Sequence, residues 1–246
     1  QLVCACHVHV AVQDPEGIVG VMDRTRPWLA VLLALSANSP FWEGVDTGYA
    51  SYRTAVFDRW PTTGTPIPLG SRAAFDALVQ DLLATGVIRD AGALYWDVRP
   101  SARYPTLEFR VADVCPTVDE GVMLAGLARS LVRTCHGQQM RDEPVEHPRP
   151  ELVRAARWRA SRSGLEGELV DLAGPRPVPA TELVQRLLEF LRDDLEQHGE
   201  WDEVWSLVRQ QLGRGSGARR QRHLAERGGA KAVAERLLIP VDSSVP

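Results

Sequence analysis

The chain has 246 residues, is 44% hydrophobic and carries a formal net charge of −4, so it can bury a substantial core and has no global field that would draw it to nucleic acid. Four cysteines, Cys4, Cys6, Cys115 and Cys135, are too few and too irregularly spaced for a disulfide scaffold or a paired Cys-x-x-Cys zinc site, and they read as reduced, mostly buried thiols. The longest apolar stretch, 28–35, is far short of the ~20 residues that span a bilayer, and no signal-peptide pattern opens the chain, so a soluble, cytoplasmic protein with no membrane or nucleic-acid partner is expected.

Residues 2–12 read as a strand buried on one face. Asp14, Pro15 and Glu16 then supply an N-cap, a first-turn proline and an acid at the positive end of a helix predicted over 15–37, with Pro27 bending or splitting it. Residues 38–70 are rich in Pro, Gly, Ser and Thr and hold Phe41, Trp42, Tyr49, Tyr52, Arg53, Phe57, Arg59 and Trp60. So long a connection in a compact domain is more often functional than idle. Ser71 caps a second helix that Gly86 closes.

Strands are expected at 94–98 and 105–111, joined as an antiparallel pair. From Thr117 onward the pattern is helical, with helices predicted at 118–132, 151–163, 180–198, 201–212 and 218–238. Strands early and helices late make the expected class α+β, an antiparallel sheet packed with helices. We read 1–246 as one domain, with a sheet-containing part over 1–137 and a helical part over 138–246. Leu183, Leu187, Leu188, Phe190, Leu191 and Leu195 form a helical stripe suited to a core or a subunit contact, and a homodimer is compatible with it. The glycine-rich run 213–217 lacks a Gly-Lys-Ser/Thr ending and reads as a hinge. Arg219, Arg220, Arg222 and Arg227 read as a solvated basic face.

Two strands carry the chemistry. In Cys6-His7-Val8-His9-Val10, alternation puts His7 and His9 on one face and the valines on the other. In Thr106-Leu107-Glu108-Phe109-Arg110-Val111, Glu108 and Arg110 oppose Leu107, Phe109 and Val111 in the same way. Asp97 and Arg99 alternate with Trp96 and Val98, and Asp97 could serve the same site or orient a neighbouring arginine. Imidazole and carboxylate can bind a divalent metal, and a planar guanidinium pairs with phosphate, so this polar face suits nucleoside-triphosphate chemistry.

These segments, together with Ala37-Asn38-Ser39-Pro40, Gly44-Val45-Asp46-Thr47-Gly48, Tyr95-Trp96-Asp97-Val98-Arg99-Pro100 and the Ala112-Asp113 that follows Val111, resemble the carboxylate-amine ligase family also called glutamate-cysteine ligase type 2. Its catalytic fold is similar to that of glutamine synthetase. The resemblance covers 1–137, with a fainter match over 157–165. It implies an ATP-dependent ligation in which the γ-carboxylate of glutamate becomes an acyl phosphate that an amine, such as that of cysteine, attacks. It also implies Mg2+ and ATP as cofactors, His7 and Glu108 at metal positions, His9 near the ATP phosphates, and Arg110 on a phosphate. Arg53 and Arg99 are implied for substrate carboxylates or the transferring phosphate.

The family also carries a Gly-x-Glu-x-Glu strand near its amino terminus that supplies further metal-binding carboxylates, and no such segment stands near the start of this sequence. The chain begins in mid-strand without an initiator Met, as though an amino-terminal portion were absent. A chain with His7 and Glu108 alone is short of the oxygen ligands magnesium prefers. It is therefore expected not to catalyse ligation by itself. Two other readings stand beside the ligase: a different amine acceptor, and a non-catalytic binding or structural homologue.

Overall fold

The computed structural model describes residues 3–145 and 147–237. Three strands build the sheet that matters: β1 (Val8–Ala11), β4 (Val98–Pro100) and β5 (Thr106–Phe109), in the antiparallel order β1-β5-β4. Two shorter strands, β2 (Phe41–Trp42) and β3 (Val45–Asp46), form a separate hairpin within the long connection. Its two-residue turn is Glu43-Gly44, both at positive φ, which matches the twist of paired strands.

Alternation decides the two faces of the main sheet. Val10, Val98, Leu107 and Phe109 are buried on one side, where helices α1 (Ile18–Thr25) and α5 (Val118–Met140) pack. The opposite side carries the polar set, and the register sets His9 and Arg99 directly across from Glu108 on the central strand.

The helix expected over 15–37 is split. It runs as α1, a 3-10 turn Arg26–Trp28 containing Pro27, and α2 (Leu29–Ser36). Asp14 does not cap it; its Oδ1 accepts from the Glu16 amide at 3.0 Å in an Asx turn, and α1 starts at Ile18. The connection that follows holds α3 (Tyr52–Phe57), and Ser71 caps α4 (Arg72–Ala84) as expected, its hydroxyl accepting from the Ala74 amide at 3.1 Å. β4 lies further along the chain than its predicted 94–98. The Leu94 carbonyl accepts from the Arg99 side chain at 2.6 Å, which takes it away from any ladder.

The remaining residues are mostly helical: α6 (Pro150–Ser163), α7 (Ala180–Gln197), α8 (Trp201–Arg214) and α9 (Gly217–Leu237), the last kinked at Gly228 and Gly229. A hairpin interrupts them, β6 (Glu168–Asp171) with β7 (Arg176–Pro179), where the sequence pattern reads as helical from Thr117 onward. Pro177 and Pro179 masked it, since proline is tolerated on such an edge strand but argues against one in sequence. The leucine stripe of α7 is spent on the core: Leu187, Leu191 and Leu195 are fully buried, and Phe190 stacks on Trp28 at 5.1 Å.

All four cysteines are free, but only Cys135 is buried; Cys4 is exposed and Cys6 and Cys115 are half-buried. The expectation of mostly buried thiols fails because Cys4 and Cys6 lie ahead of β1, where a single bridge, Ala5 to Asp113, holds the chain. Among the described residues no helix is long and apolar enough to cross a membrane. Thr117 caps α5, its hydroxyl accepting from the Glu120 amide at 3.3 Å. Thr117→Ala is expected to lower stability by about 1 kcal/mol, read as a shift in the urea midpoint at unchanged slope.

Candidate active site

Glu108 is the centre of the polar face. Its Oε1 accepts from Arg110 Nη1 at 2.6 Å and faces His7 Nδ1 at 3.2 Å and His9 Nε2 at 3.7 Å, while its Oε2 accepts from Arg99 Nε at 2.9 Å. The carboxylate is 5% exposed. Burial alone would raise its pKa; hydrogen bonds from His7 and Arg99 and the charges of Arg99 and Arg110 outweigh that and hold it far below the ordinary range.

Arg99 is fixed twice over, because its Nη1 donates to the carbonyls of Gly92 at 2.8 Å and Leu94 at 2.6 Å. Arg110 is fixed through its main chain, whose amide donates to the Asp97 carbonyl at 2.7 Å. Its guanidinium is less satisfied. The buried Nε has no partner, and desolvation first, then the charges of Arg99 and Arg53, push its pKa down against the pull of Glu108. Two guanidiniums sharing one carboxylate leave an excess of positive charge here.

The imidazoles are the accessible edge of the cluster, with side chains 36% exposed for His7 and 38% for His9. His9 Nδ1 lies 2.9 Å from the Thr106 hydroxyl and the ring meets Tyr104 edge-on, so the Nε2 edge is the one turned toward Glu108.

The structure therefore brings His7, His9, Arg99, Glu108 and Arg110 together. Arg53 joins a neighbouring network instead. Its Nε donates to Asp113 Oδ1 at 2.6 Å and its Nη2 to the Val111 carbonyl at 2.5 Å. Asp113 also accepts from the Ser51 hydroxyl, the Asn38 amide and the Ser39 hydroxyl, each at 2.8 Å. This network walls a cavity of about 430 Å³ lined on its other side by Phe41, Trp42 and Tyr52.

Asp97 does orient an arginine, and that arginine is Arg157 of α6, whose Nε lies 2.7 Å from Asp97 Oδ2 and whose Nη1 reaches both Asp58 oxygens at 2.9 and 2.8 Å. Burial opposes the Arg157 charge, but Asp97 and Asp58 more than compensate and raise its pKa. Neither Asp113 nor Arg157 was singled out from sequence. The only signal for them is that both fall inside the segments that carry the resemblance.

The residues present do not by themselves fit a magnesium ion. Both Glu108 oxygens are occupied by guanidiniums, and the described residues contain no group of three His, Cys, Asp or Glu side chains placed to hold a metal. Mg2+ demands near-octahedral oxygen ligation. The donor set fits an oxyanion.

Residues 1–237 match the sequence profile of glutamate-cysteine ligase family 2. A protein of Frankia alni provisionally named glutamate–cysteine ligase 2-2 is 54% identical over 229 residues, covering 93% of this chain and 60% of that protein. One of Streptomyces coelicolor, provisionally named glutamate–cysteine ligase 2, is 49% identical over 231 residues, 94% of this chain and 63% of its own length. Among solved structures, the glutamate–cysteine ligase of Francisella tularensis in complex with AMP aligns with a TM-score of 0.62 at 14% identity, over 89% of this chain and 56% of that one. The likeness is one of fold. The chain thus spans about 60% of the length of the Frankia relative, and with the profile matched from residue 1 to 237 it belongs to glutamate-cysteine ligase family 2.

Proposed function

We propose that this chain supplies the anion-binding wall of an ATP-dependent carboxylate–amine ligase, one that joins glutamate to cysteine through a γ-glutamyl phosphate. The observation that carries the reading is the Arg99–Glu108–Arg110 cluster: two guanidiniums held rigidly by one buried carboxylate, with Arg110 Nε still unpartnered. Phosphoryl transfer to a carboxylate brings two anions together, and preorganised cations in a partly desolvated site stabilise that encounter without reorganising. Arg110 would contact the transferring group. Arg99, tied to two carbonyls and to Glu108, would hold the field in place. His7 and His9, at the accessible edge, would order the phosphates entering from that side.

ATP supplies the phosphoryl group. With both Glu108 oxygens taken by guanidiniums and the chain covering 60% of its Frankia relative, the chain alone is expected not to turn over.

The test is glutamate- and ATP-dependent phosphate release, with γ-glutamylcysteine as product, measured on the chain alone and on a form of its relatives' full length. Robust product from the chain alone overturns the proposed division of the site. In the longer form Arg110→Ala is expected to lower kcat on the order of 10²-fold, and near-normal turnover in a folded variant removes Arg110 from the mechanism. A panel of amines in the same assay identifies the acceptor.

A further inference from the structure

A cavity of about 640 Å³ opens beside the carboxy-terminal end of α3, with Arg26, Arg154, Arg157, Asp58, Glu151 and Trp60 among its walls. That volume suits a small-molecule ligand. Its arginines are not equivalent. Arg157 is paired with both Asp97 and Asp58. Arg26 is not: it is 2% exposed, its Nε donates to the Pro66 carbonyl at 2.6 Å, and its Nη1 has no partner.

A guanidinium so deeply buried normally carries a full set of acceptors. The nearby acid, Asp23, is turned elsewhere, its Oδ2 accepting from the amides of Leu69 at 2.9 Å and Gly70 at 2.7 Å, while its Oδ1 is itself unpartnered. Among the described residues neither Asp23 nor any other acid lies within ion-pair distance of Arg26, and Arg154, exposed at the rim, has no ion-pair partner either. Burial pushes the Arg26 guanidinium down, with the Asp23 charge opposing it.

We propose that this cavity is a binding site for a small carboxylate-bearing molecule, with the carboxylate seated against Arg26 and Arg154 and the apolar body against Trp60 and Pro61. Asp58 and Glu151 in the same wall disfavour a dianionic phosphate and tolerate a singly charged carboxylate. The site is separate from the Glu108 cluster but adjoins it, because Asp97, which holds Arg157, immediately precedes β4, and Arg99, which holds Glu108, lies within it. Binding here requires no ATP, so the proposal stands or falls independently of the ligase reading.

Calorimetric titration of the chain with pentanoate at low salt tests it, with inorganic phosphate and neutral pentanamide as comparators. Pentanoate is expected to bind saturably and more tightly than phosphate, and the amide not to bind. Arg154→Glu should weaken pentanoate about tenfold or more, Arg26→Met should abolish binding, and Arg110→Ala should leave it unchanged. Arg154 is exposed, so its variant carries the test if Arg26→Met does not fold. No saturable pentanoate binding would overturn the proposal. Tighter binding of phosphate would overturn it too, as would binding that survives Arg154→Glu but is lost in Arg110→Ala, which puts the anion at Glu108.

Discussion

Glu108→Gln is expected to destabilise the chain by about 3–5 kcal/mol, the usual cost of removing one partner from a buried ion pair. The side chain keeps its shape, so packing is not what is lost. What is lost is the single negative charge between Arg99 and Arg110, whose side chains are each 11% exposed and which then face each other without a counter-ion. Desolvation cannot be avoided by swinging out, because Arg99 is anchored to the Gly92 and Leu94 carbonyls. A double variant, Glu108→Gln with Arg110→Met, should recover part of the loss, with a coupling energy of about 0.5–3 kcal/mol. Urea unfolding measures all three. Additive losses would mean that the two side chains do not share a charge interaction.

The same group sets a pH dependence whose sign follows from its depressed pKa. A carboxyl whose folded value lies below its unfolded value contributes stability that is fully present above the unfolded value, near pH 4.5, and that drains away as pH falls toward the folded one. The stability gap between the parent chain and Glu108→Gln is therefore expected to be widest at neutral pH and to shrink below about pH 4. A gap that stays constant from pH 7 to pH 3 would show that Glu108 is not ionised between the arginines.

The polar face was legible because strand alternation has a period of two and needs no tertiary information. His7 with His9, and Glu108 with Arg110, follow from it directly. That His9 and Arg99 flank Glu108 depends on register, which here is set by the antiparallel pairing of β5 with both neighbours. The surroundings of Arg53 were not legible, for a different reason. The residue sits in a connection rather than on a strand, and its partner Asp113 lies sixty positions along the chain, so only the approach of α3 to the end of β5 decides where the guanidinium goes. The hairpin at β6 and β7 was hidden by its prolines, and the split of the first helix was visible because Pro27 removes an amide donor. Local rules were reliable where backbone geometry alone decides. They do not reach the choice a side chain makes between distant partners.

Arg53's destination makes Asp113 the second position with a large expected effect. Asp113 is 1% exposed and its two oxygens accept from four donors, which tie the Asn38-Ser39 turn, Ser51 and Arg53 to the end of β5. Asp113→Ala strands a guanidinium that is itself 8% exposed, leaving it the Val111 carbonyl as its remaining protein acceptor. A loss of about 3–5 kcal/mol is expected for the uncompensated charge, on top of the cost of unsatisfied hydroxyls and an amide. Asp113→Asn should cost less, since one oxygen remains to accept, and adding Arg53→Met to Asp113→Ala should restore part of the loss by removing the stranded charge. Amide exchange gives a local readout: the Asn38 amide, which donates to Asp113 at 2.8 Å, should lose protection in Asp113→Ala before the core does. If Asp113→Ala unfolded at the parent's urea midpoint with the Asn38 amide still protected, the network would not hold this wall. Arg53 would then be free to turn toward a ligand. If the expected loss is seen, a kinetic defect in Arg53→Ala reports a collapsed wall of the 430 Å³ cavity as much as a missing substrate contact. The comparison that separates the two is Arg53→Lys, which keeps the charge on Asp113 but cannot also donate from a second nitrogen to the Val111 carbonyl with the same fork geometry.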